Sequence, residues 1–106
     1  MRKAVPGVLV VAVLAGLPMA LPSIGSSATR SVSVRDNSFS PRSLTARRGD
    51  TVRWRWSGSN PHNVVGRGFK SRIQRSGSYS RRFSRSGRYT VRCTIHSGMR
   101  QTITVR

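Results

Sequence analysis

Apolar and polar residues alternate with a period of two over most of the chain beyond residue 30. The clearest run covers residues 51–56, where Val52, Trp54 and Trp56 take every second position and arginine lies between them. Weaker runs of the same kind cover residues 31–35, 88–93 and 102–106. Side chains of a β-strand alternate between two faces, so each run predicts a strand with one buried face and one solvent-facing face. No apolar stripe of helical period accompanies them.

Residues that favour turns separate these runs. Clusters of Gly, Pro, Asn, Asp and Ser lie at 37–41, 49–50, 57–61, 66–68, 76–77 and 86–87. About seven short strands at this spacing predict an all-β fold, a small β-sandwich. Residues 66–76 are the least strand-like and predict a loop or a distorted edge. Both tryptophans share the inward phase of their strand, which favours a core role over stacking on nucleic acid.

The first 28 residues have the pattern of a secretory signal peptide. Two basic residues precede an apolar stretch from Ala4 to about Leu17, and small residues follow up to Ala28. A membrane-spanning helix needs about 20 apolar residues, and Pro18 and Pro22 interrupt this stretch. We expect a signal peptide at 1–28 and one domain at 29–106, with an uncleaved N-terminal anchor as the alternative. The protein is then exported, to the periplasm, the exterior or the outer face of the cytoplasmic membrane.

The charge balance is strongly basic. The chain has 20 Lys and Arg residues against 2 acidic ones, and loss of Arg2 and Lys3 with the leader reduces the formal charge from +18 to +16. Such a field raises the encounter rate with acidic proteins or anionic surfaces. The alternative is a solvated, arginine-rich surface that serves only solubility. Charge does not decide between them.

Beyond the leader the chain has one cysteine, two histidines and one methionine: Cys93, His96 and Met99 in one short run, and His62 in an earlier one. A thiolate, two imidazoles and a thioether are the donors that suit copper as it changes oxidation state. Each residue alone has a structural explanation, as a buried apolar side chain or a hydrogen-bonded loop residue. Together they predict a copper site, which would also stabilise a domain too small to bury much surface.

Several motifs lie in one order along residues 29–106. They are Asp36-x-x-Phe39-x-Pro41-x-x-Leu44, Gly49-Asp50-Thr51-Val52-Arg53-Trp54, Asn60-Pro61-His62-Asn63-Val64, Phe83, Gly87-x-Tyr89 and Cys93-x-x-His96-x-x-Met99. In these motifs the chain resembles the cupredoxins, the type 1 blue copper proteins, and most of all plastocyanin, pseudoazurin and amicyanin. The resemblance implies a Greek-key β-sandwich with one copper ion.

The resemblance also assigns roles at the metal. It implies three close ligands and one long axial ligand, which are His62, Cys93 and His96 and then Met99. Asn63 would connect the two ligand loops through Thr94 and supply an amide hydrogen bond to the cysteine sulfur. His96 would be the ligand nearest the surface, ringed by apolar residues, and electrons would pass through its outer edge.

We therefore expect an exported, monomeric one-electron carrier that is not an enzyme, because both histidines are already committed to one copper ion. Its partners would be acidic redox proteins, membrane-bound ones included, since Arg88, Arg92 and Arg100 lie near the ligand loop in sequence. One alternative is a copper chaperone or scavenger that delivers copper to a respiratory enzyme. A second is a metal-free basic module for nucleic acid or anionic polymers, which the charge alone supports.

Overall fold

The computed structural model describes residues 27–106, and nine β-strands but no helix lie in that part of the chain. The predicted signal peptide, apart from its last two residues, lies outside the described residues. The strands are β1 (Thr29–Arg35), β2 (Ser38–Ser40), β3 (Ser43–Ala46), β4 (Thr51–Trp56), β5 (Val65–Gly66), β6 (Phe69–Lys70), β7 (Ser78–Arg82), β8 (Gly87–Arg92) and β9 (Arg100–Val105). Between residues 27 and 106 there is accordingly no helix that is long and apolar enough to cross a membrane.

The strands form two mixed sheets, and the predicted all-β sandwich is confirmed. One sheet has the order β2-β1-β4-β7 and the other the order β3-β9-β8-β5-β6. Strands β1 and β4 are parallel, as are β3 and β9. The two shortest strands, β5 and β6, have two residues each and pair with each other, so part of the segment expected to be a loop or distorted edge is a short hairpin.

The core is formed by the apolar residues of the alternating segments. In β4, Trp54 is fully buried and Trp56 is 8% exposed, while Arg53 and Arg55 face solvent. The inward residues of β1, β8 and β9 are buried in the same way. Aromatic rings then connect across the interior: Trp54 lies 5.8 Å from Phe69, and that ring lies 5.5 Å from Phe83. The tryptophans are therefore core residues, as their phase predicts.

The parallel register of β1 and β4 places two connections at the same end of the sandwich. Val34 is opposite Trp56, so the turn after β1 and the long loop after β4 leave their sheet side by side. In the other sheet, β8 ends at Arg92, which is opposite Val65 just beyond that loop. Three connections thus meet at one end, and they contain every side chain predicted to bind copper.

At another point of the sandwich, one carboxylate fixes the start of the domain. Asp50 accepts hydrogen bonds from the backbone N–H groups of Arg47 (2.9 Å) and Ala28 (3.0 Å) and from the side chain of Arg30 (3.3 Å). These donors, the Arg47 N–H first, lower the pKa of Asp50 below its ordinary value. The carboxylate is therefore anionic at neutral pH, and it holds the chain where β1 begins.

A buried amide connects the two sheets. The indole N–H of Trp54 donates to Oε1 of Gln101 at 2.9 Å, and Nε2 of that glutamine donates to the backbone oxygen of Pro41 at 2.8 Å. Gln101 is only 2% exposed and takes an inward position of β9 that the alternating pattern would fill with an apolar residue. The first of these bonds satisfies an indole N–H that water does not reach, and the second gives the buried amide nitrogen an acceptor.

We expect Gln101→Leu to destabilise the domain by about 1–3 kcal/mol, because it keeps the side-chain volume and leaves the indole N–H of Trp54 without an acceptor. Urea unfolding of the metal-free protein measures the loss. Thr90→Ala, at an exposed position of β8, is the control and should change the free energy of unfolding by less than about 0.5 kcal/mol. Equal effects of the two substitutions would contradict the role given to the buried amide.

Candidate metal centre

The sulfur of Cys93 lies inside the sandwich because of where the residue follows β8. Cys93 comes directly after the last strand residue and keeps the inward phase of Tyr89 and Val91. It is 4% exposed and carries a free thiol. The strand therefore delivers a single buried sulfur to the end of the sandwich where the three connections meet.

His62 approaches from the long loop between β4 and β5, and its backbone is firmly held. Its N–H donates to the oxygen of Gln74 and its oxygen accepts from the N–H of the same residue, both at 3.0 Å. The oxygen also accepts from the indole N–H of Trp56 at 3.1 Å. The residue is completely buried. These bonds fix the backbone from which the imidazole projects.

Three donor atoms converge at this point. Nδ1 of His62 lies 3.1 Å from Nδ1 of His96, and the Cys93 sulfur lies 3.9 Å from the first nitrogen and 3.6 Å from the second. In the described part of the chain these three residues form one potential metal-binding group, with all donor atoms within 4.8 Å of one another. The structure thus brings together His62, Cys93 and His96, and their role as metal ligands stays a prediction.

The spacing suits a single ion. Nitrogen and sulfur donors bound in one plane at about 2.0 and 2.3 Å lie about 3.5–3.7 Å apart, close to the separations observed here. Two imidazoles and a thiolate in a trigonal arrangement, with a distant thioether, are the donor set of blue copper sites. The residues present therefore fit copper.

Met99 and His96 belong to the loop that closes the site. The loop is fastened by two backbone hydrogen bonds, from the N–H of Met99 to the oxygen of His96 (3.4 Å) and from the N–H of Cys93 to the oxygen of Met99 (3.1 Å). Gly98 has a φ of 80°, a left-handed conformation that favours glycine. Met99 is 1% exposed, and it lines the same depression of about 400 Å³ as Cys93 and His96. Met99 is therefore buried beside the donor group, and its role as the axial ligand stays a prediction.

His96 is the member of the group that reaches the surface. It is half-buried, while His62 is fully buried. Its neighbour Ile95 is 42% exposed, one of two large hydrophobic residues that are exposed in the described chain. The other residues at the mouth include Arg92 and Arg100. Of the expected ring of apolar residues, the structure shows one exposed neighbour, Ile95, and the mouth is otherwise polar and cationic.

Asn63 and Thr94 connect the two ligand loops. Nδ2 of Asn63 donates to Oγ1 of Thr94 at 2.9 Å, and the backbone N–H of Thr94 donates to Oδ1 of Asn63 at 2.8 Å. The predicted connection through Thr94 is present. The predicted hydrogen bond from an Asn63 amide to the Cys93 sulfur is not among the contacts of that sulfur in the described residues, where its partners are the two imidazoles.

One contact of the site has no counterpart in the sequence predictions. Oδ1 of Asp36, in the turn after β1, lies 3.2 Å from Nε2 of His62. The backbone N–H of Asn60, that of Ser59 and then the imidazole lower the pKa of Asp36 below its ordinary value. Asp36 begins the motif Asp36-x-x-Phe39-x-Pro41-x-x-Leu44, but no sequence spacing relates it to a histidine 26 positions later. The two residues meet because β1 and β4 are parallel neighbours, which only the sheet topology shows.

Two imidazoles and a thiolate at one end of a β-sandwich define a mononuclear copper protein. Residues 28–106 match the family described as copper binding proteins, plastocyanin/azurin family. The chain belongs to this family, its cofactor is one type 1 copper ion, and the resemblance to the cupredoxins is confirmed.

Solved structures agree in fold. A reduced Cu(I) form of an amicyanin variant is 27% identical with a TM-score of 0.68, over 74% of this chain and 82% of that one. A purple cupredoxin from Nitrosopumilus maritimus is 21% identical with a TM-score of 0.67, over 73% of this chain and 99% of that one. Comparison with curated protein sequences gives no significant match.

A larger protein shares the same fold. The Cu-containing nitrite reductase from Thermus scotoductus SA-01 is 24% identical with a TM-score of 0.67, over 73% of this chain. The chain spans only 22% of the length of that enzyme. This likeness therefore concerns the architecture of one domain.

We expect Asn63→Ala to cost about 2 kcal/mol of unfolding free energy in the metal-free protein and Thr94→Val about 1 kcal/mol, because the first removes two hydrogen bonds and the second only one. Urea unfolding measures both. Ser97→Ala, exposed in the same loop, should be close to neutral. Equal losses for Asn63→Ala and Thr94→Val would contradict a separate contribution from the bond between the Thr94 N–H and Oδ1 of Asn63.

Proposed function

We propose that the protein is an exported one-electron carrier whose copper ion is bound by His62, Cys93 and His96, with Met99 as the weak axial ligand. Membership of the plastocyanin/azurin family makes it a copper electron-transfer protein in general terms. The observation that supports the specific role is the position of the two imidazoles. One is completely buried, and the other joins the same donor group to the surface.

The bound copper supplies a one-electron couple, and the protein supplies a fixed set of donors. The backbone of His62 is held by the backbone of Gln74 and by the indole N–H of Trp56, and the Asn63–Thr94 pair fixes its loop to that of Cys93. Donors restrained by their own hydrogen bonds move little when the charge of the metal changes. A small rearrangement is what rapid electron transfer requires.

His96 gives the electron a route to a partner. His96 is half-buried and lies next to the exposed Ile95. A partner that packs on Ile95 would contact the edge of the His96 imidazole. Arg92 and Arg100 line the same depression. With only two acidic residues in the whole chain, a partner that docks here would carry acidic groups. We propose acidic redox proteins, membrane-bound ones included.

The remaining parts of the proposal concern setting. Residues 1–28 would direct export and the mature protein would act as a monomer outside the cytoplasm. It would catalyse no reaction of its own, because both histidines of the chain belong to one donor group. The nitrite reductase with the same fold is a much longer chain, and its activity is not carried over to this one.

Addition of Cu(II) to the metal-free protein should give an intense blue absorption band from the Cys93 thiolate, and Cys93→Ser should abolish it. Copper should also raise the melting temperature, because an ion that binds only the folded state stabilises it. Met99→Leu is the matched variant, which keeps the thiolate and should keep the band. A colourless copper complex of the wild type would contradict the type 1 assignment.

Electron self-exchange tests whether the cationic rim controls docking at His96. We expect self-exchange to be slow at low salt and to accelerate as salt screens the repulsion between two basic proteins. Arg92→Gln with Arg100→Gln should raise the low-salt rate severalfold. NMR line broadening in mixtures of Cu(I) and Cu(II) protein measures it.

The matched control for that experiment is Arg48→Gln with Arg106→Gln. Both residues are exposed and lie at the end of β9, whereas Arg100 lies at its beginning. The control pair therefore removes the same charge at a distance from His96. Equal acceleration by the two pairs would show that net charge matters and the rim does not. Slow self-exchange in every variant, together with rapidly exchanging copper, would instead favour copper delivery over electron transfer.

A further inference from the structure

We infer that Asp36 is a positioning residue of the copper centre, which holds the proton of His62 on the outer ring nitrogen and places a negative charge beside that ligand. The inference rests on the proposed ligand role of His62. It assigns a function to the turn after β1, which contributes no donor atom to the metal group.

The carboxylate of Asp36 is fixed before it meets the imidazole. Oδ1 accepts from the backbone N–H of Asn60 at 2.8 Å, and both oxygens lie 3.0 Å from the N–H of Ser59. The same Oδ1 lies 3.2 Å from Nε2 of His62. Two backbone donors therefore hold the carboxylate in place, and the imidazole meets an acceptor that is already oriented.

Gly58, in the loop after β4, leaves room for the Asp36 carboxylate. A β-carbon at that position would overlap the carboxylate of Asp36. Only glycine lets the loop after β4 approach so closely that its next two N–H groups reach the carboxylate. The local sequence Ser57-Gly58-Ser59-Asn60 thus suits a loop that wraps around an anion, here the side chain of Asp36 itself.

The contact decides which nitrogen of His62 carries the proton. An ionised carboxylate can only accept hydrogen bonds, so the hydrogen must be on Nε2. In the neutral ring Nδ1 is then unprotonated, and its lone pair faces the Cys93 sulfur and Nδ1 of His96. A histidine ligand must present an unprotonated nitrogen to its metal, and a carboxylate on the opposite nitrogen is a common way to ensure this.

The charge of Asp36 acts on the same ligand. The carboxylate side chain is 37% exposed, but His62 is fully buried, so solvent reaches their interaction from one side only. The chain has 20 basic and two acidic residues, and the other acid, Asp50, is bonded to Ala28, Arg30 and Arg47 instead. One anion in a cationic protein thus lies against the buried ligand. It favours the more positive, oxidised state of the centre.

Three substitutions separate the proton, the charge and the geometry. Asp36→Asn removes the charge but keeps a side-chain oxygen that can accept from Nε2, whereas Asp36→Ala removes both. Gly58→Ala keeps the charge and displaces the carboxylate. Asp50→Asn is the matched control, because it removes an equal charge from a carboxylate with no contact to His62.

The first readout is the tautomer of His62 in the metal-free protein, measured from its ¹⁵N ring shifts at neutral pH. We expect the Nε2–H form in the wild type, in Asp36→Asn and in Asp50→Asn, and a mixture of tautomers in Asp36→Ala and Gly58→Ala. A wild-type ring protonated on Nδ1 would overturn the inference without any reference to copper.

The second readout is the reduction potential of the copper form. Asp36→Asn and Asp36→Ala should each shift the equilibrium toward Cu(I) by about tenfold, which corresponds to about 59 mV for one electron. Asp50→Asn should leave the potential close to that of the wild type. Equal shifts for Asp36→Asn and Asp50→Asn would overturn the charge effect.

Failure of this inference is distinct from failure of the proposed function. If the wild type is blue but substitution of Asp36 changes neither the reduction potential nor the tautomer of His62, the type 1 copper site is supported and the role of Asp36 is contradicted. A colourless wild type loses the type 1 site, and the ¹⁵N shifts of the metal-free protein still decide the tautomer. Should Asp36→Ala fail to fold, Asp36→Asn and Gly58→Ala carry the same comparison.

Discussion

The parallel pairing of β1 with β4 is the constraint on which the copper end of the molecule depends. Parallel neighbours end at the same edge of a sheet, so the turn that contains Asp36 must lie beside the loop that leads to His62. An antiparallel pair would send the two connections to opposite ends. The contact between the Asp36 carboxylate and the His62 imidazole therefore depends on this strand direction.

The two imidazoles have opposite surroundings, and this difference organises the site. His62 is buried, has its backbone bonded on both sides and meets a carboxylate on its outer nitrogen. His96 lies in a short loop, half exposed, between Ile95 and Ser97. A rigid interior ligand keeps the geometry of the centre constant, while a surface ligand gives a partner access to it. The sandwich supplies both from strands of different sheets.

The sequence allowed much of this to be predicted, because the decisive signals are local. Alternation places Trp54 and Val91 in the core, and a single cysteine that continues the inward phase of β8 can only point into the sandwich. The four candidate donors can be named because residues 29–106 contain no other Cys, His or Met. The short hairpin of β5 and β6 was not evident, since strands of two residues have no measurable period.

The contacts that no pattern predicts are the polar ones between distant segments. Gln101 takes an apolar phase of β9 to satisfy Trp54, and its partner is known only once the two sheets face each other. Asp36 reaches His62 across 26 positions of sequence. Both are single polar groups that accept from a buried N–H. A buried N–H is retained in an interior only where it is paired, so each acceptor satisfies a donor that folding has removed from water.

That shared property connects stability to the chemistry of the metal. A buried ring nitrogen whose proton is held by a fixed acceptor leaves the other nitrogen free for copper even before copper arrives. The protein then loses less freedom when the ion binds, because the imidazole is already oriented and in the right tautomer. In a domain of this size, with one sulfur and two imidazoles, the hydrogen bonds around His62 therefore prepare the donor group for metal binding.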